Sequence, residues 1–129
     1  MPWVELFAVL VVCHLVGDFL LQTDWQATHK RAGLGSDAVA RRALLTHAGT
    51  YLLAFSPAAV WIAQEHSVGR AAHAAAGVVV PHAIQDDGRL LSVYLRRVKG
   101  MTSELPLVAV LTDQSAHVVA LMLLALAAA

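Results

Sequence analysis

Four stretches of about 20 mainly apolar residues fill most of this 129-residue chain, and they constrain its fold more than any other feature. A helix needs about 20 such residues to cross the hydrocarbon core of a bilayer. The stretches run from about Trp3 to Gln22, Ala43 to Gln64, Arg70 to Asp87 and Leu105 to Ala127. The chain is 58% hydrophobic and only 14% charged, against about 25% charge in an average soluble domain. A soluble all-helical bundle of this size would struggle to hide so much apolar surface. The expected fold is therefore all-α, a four-transmembrane-helix bundle in one domain over residues 1–129.

Local signals refine the picture. The start, Met-Pro-Trp-Val-Glu, carries no basic residue, so the first segment reads as a retained helix and not a cleaved signal. Cys13 is the single cysteine and has no internal partner for a disulfide. Ser36 or Asp37 is expected to cap the helix that leads into the second span. Pro57 should kink that span, because proline removes a backbone donor, and Pro81 should interrupt the third. Gly88 is a stop signal. In residues 89–99, Leu90, Leu91, Tyr94, Leu95 and Val98 share one helical face, while Arg89, Ser92, Arg96 and Lys99 lie away from it. That pattern suits a basic amphipathic helix on a membrane surface, or a solvated linker. Trp3, Trp25 and Trp61 read as interfacial anchors or packing.

Basic residues set the orientation. Eight of the nine Lys and Arg fall in segments 23–42 and 88–104. With four spans these share one side, which the positive-inside rule makes cytoplasmic. The chain would then lie in a bacterial cytoplasmic (inner) membrane with both termini outside and the lipid bilayer as its main partner. The formal net charge of +0 gives no signature for nucleic acid. A bundle of four short helices is small, and a homo-oligomer would enlarge it.

The spans are not clean. Ionisable groups inside a membrane helix are costly and mark functional sites by default. The first span holds His14, Asp18 and Gln22 at i, i+4, i+8, which stacks them on one face. The second holds His47. The third ends with His82 and Asp86 at i, i+4, and the fourth carries Asp113, Gln114 and His117. At 1.5 Å rise per residue, Asp18 and His47 lie about 6 Å inside the end of their spans, His82 about 8 Å, and Asp113 and His14 about 12 Å. All four helices thus deliver His or carboxylate to one half of the membrane. His29, His66 and His73 do not join them.

Alone, His47 would read as a packing residue, and Asp86 with Asp87 as a solvated helix end. Together, His14, Asp18, His47, His82, Asp86, Asp113 and His117 are candidate ligands for a divalent transition metal, zinc first and iron or manganese next. Seven groups exceed one tetrahedral shell, so they could form two metal sites, one metal with outer partners, a proton relay, or polar packing. In the metal reading the function is a hydrolase acting on a lipid or membrane-associated substrate, with His14, His82, His117 and either Asp18 or Asp113 bound directly and Asp86 or a spare carboxylate such as Asp18 as the catalytic base. The alternatives are a metal or proton transporter or channel subunit, and a non-catalytic assembly protein.

The stretch HLVGDFLLQTDWQATHK, residues 14–30, resembles an uncharacterised family of small bacterial integral membrane proteins. Its members carry H-x-x-x-D-F-x-x-Q-T in the first helix, here His14, Asp18, Phe19, Gln22 and Thr23, then a lysine, here Lys30. The resemblance extends to His47, to His82 with Asp86, and to Asp113, Gln114 and His117. It implies a membrane protein with a polar site and points to no particular activity. A weaker likeness in layout links the chain to membrane-bound metal-dependent hydrolases.

Overall fold

A computed structural model describes residues 2–103 and 105–129. Helix is the one kind of regular structure among the described residues, which contain no strand. Helix α1 (Trp3–Leu15) runs directly into one π-helical turn (Val16–Leu20). The short α2 (Asp24–His29) comes next, then α3 (Ala38–Ala54), α4 (Ser56–Glu65), α5 (Val68–Asp86), α6 (Arg89–Arg97) and α7 (Pro106–Ala128).

The local sequence explains each boundary. Thr23 and Gln26 form a reciprocal capping box at α2, satisfying two donors that the helix start leaves open. Asp37, one of the two expected caps, accepts from the Val39 and Ala40 amides at α3. Ser67 accepts from the Arg70 amide at α5. The expected kink in the second span is a full break: α3 ends at Ala54, Phe55 caps both helices, α4 restarts with Pro57 in its first turn, and the two are bent by 50°. Proline is at home in a first turn, where its missing N–H has no partner to lose.

Two expectations are corrected. Pro81 does not interrupt the third segment, since α5 continues through it to Asp86. Ser92 does not lie away from the packed face of α6. It is buried and hydrogen-bonded by Arg31, whereas Leu90, Tyr94 and Val98 are exposed. The apolar face of α6 is turned outward, with Leu95 as its buried anchor.

Two helices are long and apolar enough to cross a membrane, Trp3–Leu20 and Pro106–Ala128, and α3 with α4 makes a third if the bent pair is one span. Their outer surfaces carry Val4, Val12 and Leu15 on α1 and Leu107, Leu111, Leu123 and Leu126 on α7, all exposed. One end of the bundle is an apolar core built around Leu6, Leu10, Phe55, Ile62, Val78 and Leu121. Ala58, Ala71, Ala74 and Ala125 lie in the same cluster, and such small residues let helix backbones approach. The other end is polar. There the loop after α2 is tied to the end of α5: the Ala32 amide donates to the Asp87 carbonyl at 2.8 Å, and the Leu34 amide to Asp87 Oδ1 at 2.8 Å.

Gly17, in the π turn, lies against Tyr51 of α3. A Cβ there would stand 2.6 Å from Tyr51 Cδ2, closer than side-chain carbons approach. Gly17→Ala should therefore force the turn and α3 apart. Overpacking of this kind costs about 1–3 kcal/mol, and thermal unfolding in detergent should show a lower midpoint than the parent chain.

Candidate metal centre

The polar end draws on every long helix except α4. The break at Phe55 and the cap at Asp37 fix α3 so that His47 and Tyr51, one turn apart, both face inward. From α5, His82 and Asp86 share a face in the same way. The π turn adds a residue to one turn of the first helix and thereby shifts the phase of the residues after it. His14 and Asp18 remain neighbours, with Nδ1 and Oδ2 3.7 Å apart, but they serve different partners.

Asp18, His47, His82 and Asp86 converge. His47 Nε2 lies 3.2 Å from Asp18 Oδ1 and 3.0 Å from Asp86 Oδ2. His82 Nε2 lies 3.1 Å from Asp86 Oδ2, 3.7 Å from Asp18 Oδ1 and 3.0 Å from His47 Nε2. All four residues are buried. Ligand bonds of about 2.0–2.1 Å in a tetrahedral shell place ligand atoms roughly 3.3 Å apart, and the observed separations bracket that value. Asp18 Oδ1 has no hydrogen-bond partner despite its neighbours, so it is close to the imidazoles without being aimed along an N–H. Two carboxylates balance the charge of one dication, and the four residues could hold one.

His14 stands beside this group. Its Nε2 lies 2.9 Å from Gln114 Oε1, and the Gln114 amide nitrogen donates to Asp18 Oδ2 at 3.3 Å. Oε1 can only accept, so His14 Nε2 carries the proton. Its Nδ1 must then accept from the Tyr51 hydroxyl, 2.9 Å away. A chain of donors runs from Tyr51 through His14 and Gln114 to Asp18. Both nitrogens of His14 are engaged, so His14 orients Asp18 and takes no part in the four-atom convergence.

His117 of α7 also has one nitrogen committed, since Nδ1 donates to the Asp113 carbonyl at 2.9 Å. Its Nε2 lies 3.5 Å from Asp86 Oδ1. Asp113 is half-buried, with Oδ2 3.6 Å from His117 Nδ1. Asp86, Asp113 and His117 form a second group that could hold a metal.

Three participants had no role assigned from sequence. Lys30 reaches in from the end of α2 to Asp86 Oδ2 at 2.7 Å and to Gln22 Oε1 at 2.6 Å. Gln114 bridges two helices. Tyr51 stacks flat on His82, with ring centroids 3.4 Å apart and planes 3° from parallel. Its i, i+4 spacing from His47 was the available signal.

The chain belongs to the family described as "Protein of unknown function (DUF3307)", whose sequence model matches residues 6–129. Neither a curated protein nor a solved structure matches it.

Tyr51→Phe keeps the ring on His82 and removes only the hydroxyl, leaving His14 Nδ1 buried without a donor. An orphaned buried acceptor costs about 1–3 kcal/mol. The variant should fold and bind detergent as the parent does but unfold at lower temperature, by circular dichroism.

Proposed function

We propose that this chain is an integral membrane protein of four crossing helices that binds a divalent transition metal, zinc foremost and iron or manganese next, through Asp18, His47, His82 and Asp86. Four protein ligands fill a tetrahedral shell, so hydrolysis of a lipid or membrane-associated substrate, the chemistry we propose for the site, would need a further ligand position beside these four, where a metal-bound water could have its pKa lowered and the scissile group be polarised. The observation that carries the reading is the spacing of the four donor atoms, whose imidazole–carboxylate and imidazole–imidazole separations of 3.0–3.7 Å bracket that of a tetrahedral shell. They come from three separate helices, and packing alone gives no reason for two carboxylates and two imidazoles to meet out of water. Asp86 and Asp18, read from sequence as catalytic, are ligands in this arrangement.

The fourth crossing is α5. It is less apolar than the other spans; it packs against α3, α4, α6 and α7 and exposes Val68, Val80 and Ile84 on its outer side. Both basic segments meet at one end of the bundle through the contacts of residues 31–34 with Asp87 and Ser92. By the positive-inside rule that end is cytoplasmic, which puts the metal near the cytoplasmic face of a bacterial inner membrane and both termini outside.

One observation favours a second reading. Lys30 already supplies Asp86 with a cation, so the cluster could instead pass protons from helix to helix. Elemental mass spectrometry of the detergent-purified chain, with Asp18→Ala and His82→Ala alongside, separates the two. The metal reading expects near-stoichiometric transition metal in the parent and at least about tenfold weaker retention in either variant while helicity is kept. A parent chain that purifies without metal and takes up no zinc, iron or manganese would sink it and leave the relay.

A further inference from the structure

The four-ligand site leaves one imidazole and one carboxylate beside it unused, and Asp86 faces both sets. One ligand atom from each of Asp86, Asp113 and His117 lies within 4.8 Å of the others. Resting on the metal reading above, we infer that these three residues hold a second divalent cation, bridged to the first by the Asp86 carboxylate and open on its remaining side to the groove between α6 and α7.

The two oxygens of Asp86 face different donors. Oδ2 lies 3.0 Å from His47 Nε2 and 3.1 Å from His82 Nε2, while Oδ1 lies 3.5 Å from His117 Nε2. A carboxylate that offers one oxygen to each of two donor sets is arranged as a bridge, and metals in paired sites sit about 3.5–4 Å apart. His117 is prepared as a ligand. Its Nδ1–H is spent on the Asp113 carbonyl, so Nε2 holds the lone pair. That nitrogen has no hydrogen-bond partner although the residue is only 2% exposed. Holding the ring through the nitrogen remote from the metal is how metal-binding histidines are usually oriented; Asp113 Oδ2 lies 3.6 Å from that Nδ1, so the half-buried Asp113 carboxylate would turn toward Nε2 to share the ion.

The two sites differ in closure. Four protein ligands complete a tetrahedral shell, whereas three leave a position for an outside ligand, which is the difference between structural and catalytic ions. Asp113 is the ligand that reaches the outside: it lines a cavity of about 550 Å³ together with Gln85, Leu90, Tyr94, Ser115 and Leu123. The first ion would thus be sealed among α1, α3 and α5, and the second would face the groove.

The test is a Mn²⁺ titration of the full, chelator-stripped chain in detergent, read by equilibrium dialysis and electron paramagnetic resonance. The parent should bind two ions per chain with an exchange-coupled spectrum. His117→Ala and Asp113→Asn should each hold one ion with the spectrum of isolated Mn²⁺. Asp113→Asn keeps the side-chain shape at a half-buried position, so its result does not depend on how well the alanine variant folds. One ion in the parent, unchanged in both variants, overturns the second site and leaves the four-ligand site standing. Two ions without coupling overturn the bridge. No bound ion removes the four-ligand site, and the second falls with it.

Discussion

The carboxylate of Asp86 holds the polar end of this bundle together. It is almost fully buried, and it meets Lys30 from α2, His47 from α3, His82 from its own helix and His117 from α7. A charge in that position is costly to desolvate, and stripping away a partner from a buried pair costs roughly 3–5 kcal/mol. The helices are therefore constrained to keep their donors pointed at one place. The loop after α2 is constrained too, because Lys30 reaches Asp86 only while the Ala32 and Leu34 amides hold that loop against Asp87.

The rest of the bundle works to keep that cluster where it is. At the opposite end the contacts are apolar and the residues small, so the helices close tightly around Leu6, Leu10, Ile62 and Ala125. Among the described residues, no polar file continues through this core. His73, on the same helix as His82, is exposed and spends its ring on the Gly69 carbonyl. A pathway across the bundle would need donors and acceptors in the apolar half. The core there is Leu, Ile, Phe and Ala.

Much of this was legible in the chain itself. Helical periodicity and the cost of ionisable groups among apolar residues picked out seven candidates, His14, Asp18, His47, His82, Asp86, Asp113 and His117, but did not separate the four that converge in the structure from the others. The cap at Asp37 and the bend at Pro57 came from short-range chemistry. What could not be read was how the phase of one helix changes within itself. The i, i+4 rule places His14 and Asp18 together, but the π turn at Val16–Leu20 sends them to different partners. A π turn has no reliable sequence mark. Here its only trace is Gly17, whose missing side chain admits Tyr51. Nor could periodicity say that Pro81 would be carried inside α5. Proline removes one donor, and a helix packed on several sides can absorb that loss.

Lys30 has a place in the sequence motif, yet periodicity gives it no role, because loop residues lie outside any helical repeat. Its position bears on how an ion would be held. Asp86 Oδ2 has two lone pairs, and the ammonium at 2.7 Å uses one while the other faces the imidazoles. The lysine therefore does not block the site; it fixes the carboxylate's orientation and offsets part of its charge, which weakens the pull on a dication there. A site built only for tight retention would gain by placing a neutral donor at this position. Lys30 is half-buried, with Gln22 to hold it, so its charge stays against the Oδ2 side of Asp86, away from the groove that Asp113 lines.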